Sequence, residues 1–570
     1  MVRKFVLSLL VILGGGLLGG TPAIAENADF TRLCREVLVD LQKFDPVHAT
    51  QMGVHEYDYL LADYSSGSVR DMIGTLRSYH KKLRRFQRAD LTPHERINYR
   101  LIESNINMKL HDLDRIRWHR KSPQLYVDQA IEGVHSLMTS RHAPLAARMF
   151  QILERMKRVP KLMETAEKNI KKAPPVYIEI AQQSLADGID FYKTVAGELM
   201  RQFPEEADDI LKFSTAAREA MNDFSIYLSE VERDDPRAFA VGEQDFNYIL
   251  SHSHLLEIDA DSLLRLGERL LADVQAEYTD YLAYVENQHQ EGADSVFVPA
   301  SFTRQDVLDY YDWEVNQVKT WLEQNDIITV PADIAPIEVV QTPAYLRALV
   351  SGIAYEPAGP FSEEQVGFFY VRPIPEDLDR RQIEARYRYV HRRGFRSSVV
   401  HEAYPGHHLQ LQLAGRTDDP VRTWQQNILL IEGWALYSEE MMYHAGLYGD
   451  EDPAMWLAIL RGIRFRAARI IADVKLHTGE FTYEECVDWM VEALGVETEA
   501  QTGFIRAEVR RYTLTPTVQM SYLLGKVMIQ KLRDDYRRQA GSDFSERSFH
   551  DALLGEGAIP PVLVREAMGL

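Results

Sequence analysis

The densest chemistry in the 570-residue chain lies between Val399 and Gln410, where His401, Glu402, His407 and His408 fall within a single short stretch. A zinc hydrolase needs two neutral imidazoles on one ion, a third ligand from elsewhere, and an acid beside the first histidine to take a proton from water. The usual helical spacing is His-Glu-x-x-His, which puts both rings on one face. Here Pro405 and Gly406 intervene. In an unbroken helix His408 would share the face of His401 but lie roughly 10.5 Å along the axis, too far for two bonds of about 2.1 Å to close. His407 would sit about 9 Å along and off that face. Pro405 lacks the N–H for the carbonyl of His401 and clashes with it, and Gly406 tolerates distorted backbone, so the helix is expected to bulge there. A bulge that absorbs two residues gives His407 an effective spacing of four from His401. His401 and His407 are then the expected ligands and Glu402 the general base. His408 is left as the alternative ligand, or as a support or substrate contact.

The third ligand is expected from Asn427 to Tyr437, where Glu432 is the one carboxylate in an otherwise apolar run. An unpaired charge there would cost several kcal/mol, so Glu432 needs a cation, either a metal or a buried arginine. Gly433 beside it permits close approach of another backbone. Glu439, seven residues on, shares the Glu432 face, and it or Glu440 could orient a metal-bound histidine. A hydrolase also needs a group to stabilise the oxyanion, for which Tyr522 and the pair Arg511–Tyr512 are candidates. Arg469, Asp473 and His477 stack at i, i+4 and i+8 on one helix face. Such a row usually decorates a solvated surface; turned into a groove it would support the site, or clamp a substrate carboxylate through Arg469. His252 and His254, two residues apart, splay to different sides of a helix and read as structural.

The elements that must hold these groups are helical. Leu145 to Met156 and Leu256 to Val285 repeat apolar residues at three and four, and prolines fall between such runs, at Pro174–Pro175, Pro331 to Pro336 and Pro373 to Pro375. Gly367 to Pro373 is the exception: short, aromatic and β-branched, it reads as a strand whose proline favours a sheet edge. An edge strand near a peptidase site can hold an extended substrate by backbone pairing, or simply cover the core. The expectation is a mainly α protein with one small β edge element, residues 26–570 forming a single unit with two lobes around a cleft.

Composition narrows the function. With 45% hydrophobic and 26% charged residues the chain is neither disordered nor a multi-span membrane protein. Lys plus Arg number 64 against 85 for Asp plus Glu, a net charge of -21, which repels nucleic acid. Arg3 and Lys4 precede an apolar run from Phe5 to Leu18, and Ala23-Ile24-Ala25 has the small-x-small pattern of a cleavage site. Residues 1–25 are therefore expected to be a signal peptide. No cysteine stands where a lipid anchor would need it. The expected location is periplasmic or extracellular, with no stable membrane insertion after cleavage. Cys34 and Cys486 either bridge or remain buried thiols.

The motifs His-Glu-Ala-Tyr-Pro-Gly-His-His-Leu-Gln at 401–410 and Glu-Gly-Trp-Ala-Leu-Tyr-Ser-Glu-Glu at 432–440 resemble those of the bacterial domain-of-unknown-function 885 family. Further resemblances lie at His48 to Gly53, Ser521 to Lys526 and Phe549 to Gly557. That family is similar in turn to helical, gluzincin-like zinc peptidases of the thimet-oligopeptidase and thermostable-carboxypeptidase types. The resemblance implies a helical body with a deep central groove, zinc on His401, His407 and Glu432, Glu402 as base, and a tyrosine near the C-terminal end at the oxyanion, with Tyr522 the first choice. The expected function is zinc-dependent hydrolysis of peptide bonds, with a peptide or small amide as partner. A zinc hydrolase of non-peptide amides or esters, or a peptide-binding protein without catalysis, are the alternatives. Endo- versus exo-cleavage, side-chain preference and oligomeric state are not encoded legibly.

Overall fold

The computed structural model describes residues 25–287, 304–343, 353–373, 378–391, 396–449 and 452–570. Residues 1–24 of the expected signal peptide, and Pro375, lie outside them. The N-terminal part is built from amphipathic helices, and side chains cap the first amides of the first three. α1 (Ala28–Phe44) starts at Asn27, which accepts from the amides of Asp29 and Phe30. α2 (Ser66–Leu83) is followed by α3 (Pro93–Leu110), which opens with a reciprocal Thr92–Glu95 capping box. Each such cap stabilises by about 1 kcal/mol. α4 (Gln124–Thr139), α5 (Leu145–Asn169), α6 (Pro175–Gln202) and α7 (Ala207–Glu230) complete this part. Contrary to the expectation that prolines stay between helices, Pro160 lies inside α5. The long buried face of Ile152, Met156, Val159 and Met163 holds α5 in place despite the missing hydrogen bond.

The second half contains α8 (Ala260–Asn287) and α9 (Arg304–Gln324), then a three-stranded sheet of β1 (Ile337–Gln341), β2 (Ile353–Glu356) and β3 (Gly367–Val371). β3 is central, parallel to β1 and antiparallel to β2, with Phe369 opposite both Val339 and Tyr355. The expected edge strand is thus the middle one. Pro373 falls beyond its end and removes no ladder donor, so it placed no constraint on the sheet. With both sides of β3 paired, an extended substrate cannot add to it. The later helices are α10 (Arg396–Glu402), α11 (His407–Ala414), α12 (Ile428–His444), α13 (Pro453–Thr478), α14 (Glu499–Tyr512) and α15 (Ser521–Ala540).

The largest hydrophobic core joins α1–α7 to α9, the sheet and Trp434 of α12. A second packs α8 against α13 and the start of α15, and a third joins Tyr177 of α6 to α13 and α14. Cys34 lies in the first and Cys486 in the third, so both are buried free thiols and the bridge is set aside. α12 and α15 approach so closely that a Cβ on Gly433 would lie 2.5 Å from the backbone of Gly525. No helix among the described residues is long and apolar enough to cross a membrane.

Candidate metal centre

The backbone between α10 and α11 departs from helical pairing at the predicted place. The amide of Ala403 still donates to Val399, but that of Gly406 reaches Val400 at 3.0 Å and that of Leu409 reaches Ala403 at 3.3 Å. Those last two bonds span six residues instead of four, so the turn takes up two residues. A side chain on Gly406 would collide with the carbonyl oxygens of Val400 and His401. Trp434 Nε1 donates to the Pro405 carbonyl at 2.8 Å and ties the turn to α12.

The bulge brings His407 beside His401. Their rings are 4.8 Å apart and nearly perpendicular, at 86°. Nε2 of each lies 3.5 Å from Oε2 of Glu432, and the ligand atoms of all three fall within 4.8 Å of one another. Two ligands on a tetrahedral ion with bonds near 2.05 Å stand about 3.4 Å apart, which both histidine–carboxylate separations match. His401 Nδ1 donates to Glu439 Oε1 at 2.9 Å, which leaves the Nε2 lone pair directed at Glu432. Glu432 Oε2 is buried and accepts no hydrogen bond.

The electrostatics ask for positive charge at that point. Burial disfavours the His401 cation, yet Glu432, Glu439 and Glu402 outweigh it and raise His401 to about 10. Burial would likewise raise Glu432, but the two imidazoles hold its carboxyl well below the usual range. Glu439 is also held low against burial by His401 and by Arg466, whose guanidinium is 3.8 Å away. Two imidazoles and one carboxylate form a donor set suited to zinc.

The other expected site residues divide. Glu402, His401 and Tyr522 line a groove of about 1410 Å³. Burial, with Glu432 adding to it, raises the Tyr522 hydroxyl. His408 turns away, bonding Tyr355 Oη through Nδ1 at 2.9 Å and the Ala335 carbonyl through Nε2 at 3.0 Å, and so braces the sheet. Burial lowers it to about 4. Glu440 ion-pairs with Lys526, leaving Glu439 as the carboxylate on His401. The Arg469–Asp473–His477 row is buried, not solvated, because α14 and residues 513–520 cover it. Only Arg469 reaches the groove. Asp473 accepts from the amides of Thr517 and Met520 at 3.0 Å each, and His477 Nε2 donates to the Tyr512 carbonyl at 3.0 Å. Arg511 pairs with Glu508, as does the Tyr512 hydroxyl, and neither lines the groove. His254 bonds Thr517 at 3.0 Å, a structural role.

Residues 46–568 match the family described as bacterial protein of unknown function, DUF885. The chain belongs to that family. This DUF885 protein is similar in fold to the structure of a putative lipoprotein of unknown function from Shewanella oneidensis, with 21% identity, a TM-score of 0.75, and coverage of 95% of this chain and all of that one. A putative lipoprotein from Colwellia psychrerythraea is similar at 18% identity and the same TM-score, covering 95% of this chain and 98% of the other. No curated protein matches. The names of these relatives assign no activity.

Sequence reasoning about the DUF885 protein missed Arg466 and Tyr355. Arg466 stands three residues before Arg469 on α13, a spacing that shares a face, but its partner Glu439 lies on another helix. Tyr355 carried no signal, because its role depends on β2, whose partner His408 is 53 residues away.

Proposed function

We propose that this protein is a zinc-dependent hydrolase of peptide bonds. The observation that carries the reading is Glu432 Oε2: buried, without a hydrogen bond, and 3.5 Å from the Nε2 atoms of both His401 and His407. A buried carboxylate facing two imidazoles needs a cation, which a proton on His401 supplies in part and an ion bound by all three residues would supply in full. His401, His407 and Glu432 would hold the ion, and Glu439 would fix the His401 tautomer. Bound zinc supplies Lewis acidity toward water and the scissile carbonyl. Glu402, on the groove next to His401, takes the proton of the attacking water and passes it to the leaving amine. Tyr522, on the same groove, would donate to the oxygen that gains negative charge.

Purified protein should contain about one zinc per chain, and a mixed peptide pool read by mass spectrometry should show defined cleavage products. Glu402→Gln should keep the zinc and lower turnover by about 10²–10⁴-fold. Zinc with no peptide cleavage would move the reading to other amides or esters; no zinc would leave a peptide-binding protein. An exported location, periplasmic or extracellular, belongs with this reading, and N-terminal sequencing of protein from fractionated cells tests it through a mature end near Glu26.

A further inference from the structure

The protein as a whole is acidic, with a net charge of -21, yet the part of the groove lined by α13 is not. Arg461, Arg464, Arg466 and Arg469, all from α13, line the groove together with His401, Glu402 and Tyr522. Three carboxylates share that lining. Glu402 and Glu439 belong to the metal centre, and Glu497 is the third.

The arginines are not equally occupied. Arg464 donates to the Leu494 carbonyl and lies over the Tyr278 ring at 4.9 Å. Arg466 approaches Glu439 at 3.8 Å and its buried Nε has no hydrogen-bond partner. Arg461 is exposed on the rim. Arg469 is the telling residue. It is only 4% exposed, and its buried Nε has no partner. One Nη donates to the neutral Gln519 at 2.5 Å, and the guanidinium lies 4.0 Å over the ring of Tyr522. A guanidinium withdrawn from water normally faces a carboxylate or phosphate, because nothing else replaces its hydration as fully. Here it stacks on the tyrosine already assigned to the reaction and, among the described residues, meets no carboxylate within ion-pair distance.

We infer that Arg469, with Arg466 and the rim residue Arg461, forms a subsite that clamps a substrate carboxylate beside the cleavage point. The inference rests on the hydrolase reading for its position relative to the scissile bond, but not for the binding itself. Two sources supply the same chemistry: the free C-terminus of a short peptide, or an acidic side chain within a longer one. The planar fork of arginine meets either with two parallel N–H···O bonds. Tyr522 fixes the plane of the fork, so the arginine also couples carboxylate recognition to the residue at the oxyanion.

The test uses the full mature protein and three matched peptides: a free C-terminal acid, the C-terminal amide, and an amide carrying glutamate near its end. Binding is read by fluorescence anisotropy on the Glu402→Gln protein, and cleavage by mass spectrometry on the unaltered one. The free acid or the glutamate peptide should bind about 10–100-fold more tightly than the plain amide, and which of the two gains identifies the source. Arg469→Gln should erase that preference, bringing the free acid or the glutamate peptide down to the affinity of the plain amide. Because a buried arginine can matter for folding, Arg461→Gln at the rim provides a second variant, expected to reduce the preference by a few-fold. Equal binding of all three peptides by the Glu402→Gln protein, or equal weakening of all three when that protein also carries Arg469→Gln and remains folded, overturns the subsite. Preference without cleavage leaves the subsite standing and removes the peptidase reading; cleavage without preference does the reverse.

Discussion

Two clusters of two histidines and one carboxylate occur among the described residues, and their chemistry differs although their composition is the same. At His401, His407 and Glu432 the rings stand at 86° and both Nε2 atoms aim at one oxygen that has no other partner. At His55, Asp58 and His142 the rings are stacked, 3.5 Å apart and 17° from parallel. Imidazole lone pairs lie in the ring plane, so two stacked rings cannot share one ion at bonding distance without severe tilting. Asp58 is also already occupied: it accepts from His55 Nδ1 at 3.0 Å and from Thr50 Oγ1 at 2.6 Å, and Thr50 in turn accepts from Arg155. In the first cluster the buried carboxylate oxygen accepts no hydrogen bond, whereas in the second both carboxylate oxygens do. Equal donor counts therefore leave the two clusters unequal, because the rings stand across each other in one and are stacked in the other.

That contrast can be broken most directly at the ligands. His401→Ala or Glu432→Ala should lose stoichiometric zinc, with affinity falling by several orders of magnitude in calorimetric titration, whereas Asp58→Asn should leave zinc content unchanged. Two zinc ions in the unaltered protein, one of them lost in Asp58→Asn, would erase the distinction. Next in size, Glu439→Gln keeps all three ligands but weakens the support of His401, and zinc affinity should fall about 10–100-fold.

The pH dependence sharpens the comparison further. Zinc must displace the proton that Glu432 and Glu439 hold on His401, so apparent affinity should rise about tenfold per pH unit between about pH 7 and pH 9. Without metal, the raised His401 stabilises the fold fully below its ordinary value of 6.5, and that contribution is lost as pH climbs toward about 10. The depressed Glu432 acts oppositely, stabilising above its ordinary 4.5 and losing that contribution as pH falls. Chelated protein should therefore melt at lower temperature as pH rises from about 6.5 to 9.5, and added zinc should restore it; a flat profile would show that the triad holds no proton. The smallest effect is expected at His142→Ala, which should lower stability by about 1 kcal/mol in denaturant titration and leave zinc binding and cleavage untouched.

The triad was legible because its signals are local. Pro405 and Gly406 announce a break between two histidines, and Glu432 is conspicuous as a lone charge in an apolar run. The helical body was legible for the same reason, through apolar spacing within each segment. What failed was environment. Arg469, Asp473 and His477 do share a face, but whether water or protein meets it depends on α14 and residues 513–520, which are distant in sequence. β1 and β2 escaped because Ile337–Gln341 and Ile353–Glu356 are short, half-buried and mixed in polarity, and they become strands only by pairing with β3. Without those partners on the page, β3 itself was put at an edge.

The contact between Gly433 and Gly525 has a mechanical meaning. Glu432 sits one residue from it on α12, and Tyr522 lies within a turn of it on α15. Rods fused at backbone level shift together or not at all. The acid that would grip the ion and the phenol across from it therefore keep a fixed span, and any widening that admits a bulkier chain has to come from the far bank, where Tyr278 and Leu282 of α8 form the other shore.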